Sequence, residues 1–361
     1  MTLDDLPTPC LVLDLGVLRR NLATMRQAIA RHPGVVLRPH LKTAKSREVA
    51  ALAAPGFGPI TVSTLAEARF FAEGGWRDQI YAVGITPQKL DAVVALNAQG
   101  AAVKVITDDL DAARAIAAHP GAIEALVEVD VGEGRGGVPP DEAAAIADAL
   151  GGRLAGVFTH AGHSYAGRSL AEMAAIAEAE RAGVVRAAEA LRDAGHQLRI
   201  VSLGSSPTAL HAERLDGVND IRAGVYMFGD LFQEQLGTHP EGEIAMTVLT
   251  SVIGRKPGRG ALLLDAGALA LSKDRSTEKA PRDDHFGLVL DLDGRRAFGH
   301  ATVARVHQEH GEALPLPDMP VGARLRIAPN HCCLTAAAHQ HYHVVDGGRD
   351  ILATWERVNG W

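Results

Sequence analysis

Along the first 240 residues, short apolar runs rich in β-branched residues alternate with longer Ala-rich stretches that carry helical spacing. Eight such runs stand at 35–39, 60–63, 79–83, 102–106, 125–130, 154–160, 198–203 and 221–228. The segments between them, such as 140–150 and 170–194, are rich in Ala, Glu, Leu and Arg. This alternation predicts parallel strands joined by crossover helices. A helix over 15–32, with Leu18, Leu22, Met25 and Ile29 on one face, precedes the first run. Eight units fit a (β/α)8 TIM barrel of roughly 200–250 residues. The rival is a doubly wound open sheet, but no G-x-G-x-x-G follows the first run.

The texture changes after about residue 241. Strand-like runs at 246–253, 261–265, 286–290, 301–306 and 323–327 are separated by turn signals such as Pro257-Gly258 and Asp293-Gly294. The fold class is therefore α/β: a barrel over 13–240, then a mostly antiparallel β domain over 241–361 that also takes in residues 1–12. The strand-like 9–14 segment is a candidate to pair with that domain.

Composition narrows the setting. The chain has 361 residues, 47% of them hydrophobic, with a formal net charge of −7 and no block of like charges. Nucleic-acid and membrane-surface roles need a basic patch, so neither is expected. Cys10, Cys332 and Cys333 make no disulfide framework and fit a reducing cytoplasm. The start, Met1 to Pro9, lacks the pattern of a signal peptide, and no run approaches a membrane span.

Candidate chemistry follows from the barrel itself, because the ends of its strands carry the active site. Lys42 stands at or just past the end of the first run, where it is either a Schiff-base nucleophile or a solvated loop lysine. The seventh and eighth units end in Gly204-Ser205-Ser206-Pro207-Thr208 and Ala223-Gly224-Val225-Tyr226, where barrels often bind phosphate. Either loop alone is an ordinary turn; together with Lys42 they point to a phosphorylated cofactor. Arg135 follows the fifth run on a Gly-rich loop and is either an anion ligand or a surface arginine. The sixth run ends in Thr159-His160-Ala161-Gly162-His163-Ser164-Tyr165, whose histidines and tyrosine are acid/base or cofactor candidates or structural side chains. In the second domain His331 and Cys333 stand two apart, which on an extended segment puts both on one side. Imidazole plus thiolate suits Zn²⁺ with open coordination positions; the alternative is a buried cysteine beside a core histidine. His339, His341 and His343 alternate like an exposed edge strand and are assigned no metal.

Arg38-Pro39-His40-Leu41-Lys42-Thr43, Val127-Glu128-Val129-Asp130-Val131-Gly132 with Arg135, Gly204-Ser205-Ser206-Pro207-Thr208 and Pro329-Asn330-His331-Cys332-Cys333 together resemble a known family. It is the fold-type III pyridoxal 5′-phosphate (PLP) enzymes with an alanine-racemase-like barrel, and within them the D-serine dehydratase / D-threonine aldolase group. The likeness covers nearly the whole chain. It implies that Lys42 is the PLP lysine and that His40 and Arg135 contact the cofactor, Arg135 at its phenolic oxygen. It also implies a phosphate site at Ser205, Ser206, Thr208, Gly224 and Tyr226, and catalytic or cofactor contacts from His163 and Tyr165. His331 and Cys333 would hold a divalent metal, Zn²⁺ first, with Mn²⁺ or Mg²⁺ as alternatives. Homodimers are usual in the family. Ala44 stands where the group commonly has His, and Cys333 resembles the dehydratase branch more than the aldolase branch.

The resemblance implies a metal-dependent lyase on β-hydroxy-D-amino acids. Dehydration of D-serine, D-threonine or D-3-hydroxyaspartate to a 2-oxo acid and ammonia is the leading expectation. Retro-aldol cleavage to glycine and an aldehyde is the alternative. A racemase has no use for the metal pair, and a non-catalytic PLP carrier would resemble the barrel alone.

Overall fold

The computed structural model describes residues 1–167 and 169–361. Strand β1 (Cys10–Asp14) and the helix Leu15–Ala30 lead into a parallel sheet. Its strands are β2 (Val36–Pro39), β3 (Ile60–Val62), β4 (Asp78–Gly84), β5 (Ala102–Thr107), β6 (Glu124–Val129), β7 (Leu154–Thr159), β8 (Ile200–Leu203) and β9 (Asp220–Ala223). They run in the order β2-β9-β8-β7-β6-β5-β4-β3. A parallel bridge between His40 and Thr61 joins the two ends, so the sheet closes into the eight-strand barrel that the eight apolar runs predict. The eighth run extends less far than the sequence suggests, because the chain turns into a 3-10 helix at Val225–Met227.

The barrel's interior is part apolar and part ionic. Ile80, Ile106, Leu126, Ala155 and Phe158 form a buried cluster across β4 to β7. Near the strand starts, Arg38 Nε donates to Asp220 Oδ2 at 2.7 Å, and its Nη1 lies 3.0 Å from Asp78 Oδ1. Lys104 Nζ joins Asp78 at 2.9 Å, and Ser202 Oγ donates to Asp220 at 2.6 Å. Buried charges persist where each has a partner and hydrogen bonds. These bonds tie β2, β4, β5, β8 and β9 together across the lumen.

The second sheet is built from β1, β10 (Met246–Lys256), β11 (Ala261–Leu264), β12 (Leu288–Leu290), β13 (Thr302–Val306), β14 (Gly311–Leu314), β15 (Arg324–Ala328), β16 (His341–Val345) and β17 (Ala353–Glu356). Its order is β11-β14-β13-β12-β15-β10-β1-β16-β17, and β10 also pairs with β11. Strands β10 to β15 thus close a ring, and β1 carries β16 and β17 outward. Only the β1–β16 pair is parallel among the pairings of this sheet. The 9–14 segment does pair here, with Cys10 opposite Leu249. Of the histidine stripe, His341 and His343 lie on a strand while His339 precedes it, and that strand is not an edge: β16 lies between β1 and β17, with Tyr342 and Val344 buried and His341 exposed.

The chain divides into two compact units, residues 24–224 with 360–361, and residues 1–23 with 225–359. The division falls within the first long helix and after Gly224. Among the described residues, no helix is long and apolar enough to cross a membrane.

Candidate functional site

Strand β2 ends at Pro39, and a turn follows in which Leu41, Thr43 and Ala44 are buried while Lys42 is exposed. Lys42 lines a cavity of about 450 Å³ together with His40, Ser63, Asp108, Glu128, Arg135, His160 and Arg222. These residues stand on or just beyond the C-terminal halves of barrel strands, as barrel chemistry requires.

The wall beside Lys42 is uncharged imidazole. His40 Nε2 lies 3.4 Å from Ser63 Oγ, and burial, with Lys42 and Arg222 nearby, holds its pKa well below the usual value. His160 donates Nδ1–H to the Gly204 carbonyl at 2.7 Å. Burial pushes its pKa down to about 3, so its other nitrogen carries a lone pair. Deeper in, Arg222 Nε donates to Ser202 Oγ at 2.8 Å, a second nitrogen donates to the Thr159 carbonyl, and the guanidinium sits 3.4 Å over the Phe158 ring. Burial lowers its pKa to about 10, which still leaves a cation at neutral pH. Glu128 is buried opposite; burial and the nearby Asp108 carboxylate raise its pKa.

The loop after β8 is held by a tight glycine and a capped helix start. Gly204 has φ +136°, and a Cβ there would stand 2.1 Å from the Arg222 carbonyl oxygen. Ser205 caps the short helix Ser206–His211, accepting from Thr208 N at 3.2 Å while Ser205 N donates back to Thr208 Oγ1 at 3.1 Å. Gly224 passes so close to β2 that a Cβ would lie 2.8 Å from the His40 carbonyl oxygen. Tyr226 is buried on its 3-10 turn in the other unit, and its carbonyl accepts from His239 Nε2 at 2.8 Å.

Arg135 does line the cavity, with its guanidinium 3.4 Å from Glu133 Oε1. His163 and Tyr165 lie on the 3-10 turn Gly162–Ala166 and do not line it. Sequence reasoning gave no role to Ser63, Asp108, Glu128 or Arg222. Two of them carried a signal: Arg222 between Ile221 and Ala223, and Glu128 between Val127 and Val129, are charges inside apolar strands. A lysine at the mouth, two guanidiniums and a loop with glycines where a side chain would clash suit a phosphorylated aldehyde cofactor such as PLP. A volume of this size is ordinary for a cofactor site.

In the second unit, the 331–333 segment is not extended. His331 is the extended N-cap of a short helix, Cys332–Ala336, so the predicted strand-like alternation is replaced by a helix start. The Cys333 side chain nevertheless lies close enough to the His331 imidazole to help raise its pKa. The ring's Nδ1 is 3.0 Å from Asp230 Oδ2, which also accepts Cys332 N at 3.1 Å. A carboxylate on Nδ1 fixes the ring's tautomer and orientation, as it does for many metal-binding histidines. Among the described residues, no group of three or more His, Cys, Asp or Glu side chains is placed to hold a metal.

A lysine-bearing (β/α)8 barrel followed by an antiparallel β unit is the architecture of the PLP-type, alanine-racemase-like enzymes. Residues 13–231 match the family model for the alanine racemase N-terminal domain, and residues 245–345 match that for the serine dehydratase domain. The chain belongs to this family, in the lyase group that holds D-amino-acid dehydratases and aldolases. It is 43% identical to D-threo-3-hydroxyaspartate dehydratase of Delftia sp. (strain HT23), over 100% of this chain and 99% of that one. A solved structure of that enzyme superposes with a TM-score of 0.94, 43% identity and full coverage of both chains. A variant of it with a cysteine replaced by alanine is described as the metal-free form. D-serine dehydratase of Dictyostelium discoideum is 28% identical over 99% of this chain and 98% of its own. D-threonine aldolase from Filomicrobium marinum superposes with a TM-score of 0.81 at 27% identity, covering 99% of this chain and 96% of that one.

Proposed function

We propose that this chain is a PLP- and zinc-dependent dehydratase of β-hydroxy-D-amino acids, with D-3-hydroxyaspartate, D-serine and D-threonine as its substrate class. The observation that carries the reading is the His331–Cys333 pair braced by Asp230, in a chain whose lysine cavity suits PLP. Full-length likeness to a D-threo-3-hydroxyaspartate dehydratase supports it.

PLP bound at Lys42 supplies an electron sink for the bond electrons released at Cα. Lys42 would hold the cofactor's aldehyde, and its free amine would take the Cα proton. The neutral imidazoles of His40 and His160 add no positive charge beside that amine. Arg135 would meet the phenolic oxygen, and Ser205, Ser206, Thr208 and Gly224 would hold the phosphate, a part the resemblance also gives to Tyr226. His163 and Tyr165 serve the loop that flanks the cofactor. His331 and Cys333 would hold a divalent cation, zinc by the softness of their donors, that would supply Lewis-acid polarisation of the β-hydroxyl. The net reaction would be loss of water from the β-hydroxy amino acid and hydrolysis to a 2-oxo acid and ammonia. A homodimer in a reducing cytoplasm completes the reading, the compartment supported by three free cysteines.

Retro-aldol cleavage uses the same residues, and the likeness to D-threonine aldolase favours it as the second reading. Chelation with metal add-back tests the metal's part. Turnover of D-threo-3-hydroxyaspartate should stop in chelator and return with Zn²⁺; turnover that persists there contradicts the reading.

A further inference from the structure

Glu180 is completely buried on the helix Leu170–Asp193, which crosses from β7 to β8, and the chemistry above gives it no part. Its Oε1 accepts two backbone hydrogen bonds, from Ala161 N and from Gly204 N, each at 3.0 Å. Ala161 lies two residues past the end of β7, and Gly204 immediately follows β8. One carboxylate oxygen therefore fastens the loop that carries His163 and Tyr165 to the loop that carries Ser205, Ser206 and Thr208.

The Gly204 peptide is held on both sides. Its N–H goes to Glu180, and its carbonyl accepts from His160 Nδ1 at 2.7 Å. Burial raises the Glu180 pKa, against the Thr208 hydroxyl, the Gly204 and Ala161 N–H groups and the Arg222 guanidinium. A buried carboxyl group is expensive and persists where its acceptor geometry is used. Here that geometry fixes where the loop leaves its strand.

We propose that Glu180 is a positioning residue for the phosphate cradle. It sets the main-chain path of residues 204–208, so that the loop's N–H and hydroxyl groups converge on the cofactor's phosphate. The proposal rests on the PLP reading and adds to it a residue that touches neither cofactor nor substrate.

The test is equilibrium binding of PLP, and of pyridoxal without phosphate, to cofactor-free protein, followed by protein fluorescence. Wild type is compared with Glu180→Met, which keeps bulk and loses the acceptor, and Glu180→Gln, which keeps an acceptor oxygen. Glu180→Met should weaken PLP roughly tenfold or more, the scale on which outer partners of a ligand group are felt. Its affinity for pyridoxal should stay within about twofold of wild type, and Glu180→Gln should stay near wild type for both. Equal losses for the two ligands in Glu180→Met, or no loss, overturn the proposal. So does a Glu180→Gln variant as weak for PLP as Glu180→Met. Wild type that binds no PLP would instead overturn the PLP reading itself. If Glu180→Met does not fold, amide exchange of the wild type decides. Gly204 and Ala161 should be strongly protected without cofactor, and exchange at the rate of a free amide overturns the proposal.

Discussion

Lys42 and Arg222 show how differently two cations at one cavity are used. Lys42 is exposed on a tight turn and available for reaction, whereas Arg222 is buried and engaged by Ser202, Thr159 and the Phe158 ring. Lys42→Ala should therefore abolish both the cofactor's colour and turnover; retained turnover would contradict its role. Asp230 Oδ2 accepts from His331 Nδ1 and Cys332 N, and its Oδ1 accepts from Gln233 N. Asp230→Asn keeps the helix cap but weakens the hold on the imidazole, so zinc affinity measured by chelator competition should fall about 10–100-fold. Glu128 yields a pH effect. Burial and Asp108 raise its pKa in the folded protein, so the native state holds this proton more tightly than the unfolded chain. Its contribution to stability is greatest below the ordinary glutamate pKa and is lost as pH rises through the raised one. Glu128→Gln should stabilise the cofactor-free protein at neutral pH, by on the order of 1 kcal/mol, and flatten that slope in thermal melts. Lys42 and the 204–208 loop stood out in the sequence because they follow strand ends with a reactive or hydroxyl-bearing side chain. Arg222, Glu128, Asp230 and Glu180 did not, because their partners come from distant strands and helices, and spacing along the chain does not show them.

At the scale of elements, the barrel strands were legible because each is a short β-branched run bounded by an Ala-rich helix. The second sheet was less so. β14 is Gly-Glu-Ala-Leu and β17 is Ala-Thr-Trp-Glu, too short and mixed for a periodic signal. β16 alternates His with Tyr and Val, and only its pairing with β1, some 330 residues away, makes it interior. The His331–Cys333 spacing suggested a pair on one face of a strand, whereas the structure places both residues at a helix start. The ionic layer in the barrel was not foreseen at all, because Arg38, Asp78, Lys104 and Asp220 look like surface charges until the sheet closes. Arg38 and Asp220 are both nearly inaccessible, with side-chain exposures of 5% and 6%. Asp220→Ala leaves Arg38 short of a partner and Ser202 without its acceptor. It should cost about 3–5 kcal/mol in denaturant unfolding. A loss below about 1 kcal/mol would show that the layer relaxes or hydrates.

At the scale of the whole molecule, the chain divides the chemistry between two units. The 24–224 unit holds the lysine cavity and the phosphate loop, and the unit containing 225–359 holds the His331–Cys333 pair. Family membership was legible because both sets of motifs occur in order along one chain, and the alanine racemase and serine dehydratase family models match the corresponding stretches. The choice between dehydration and aldol cleavage was not, because the residues proposed for the one reaction are the same as those proposed for the other. Bond choice at Cα and Cβ is therefore the point on which the account stands. The direct measurement is product analysis after incubating the protein with PLP, Zn²⁺ and D-threo-3-hydroxyaspartate. The account predicts oxaloacetate and ammonia in equal amounts, and glycine with glyoxylate would contradict it.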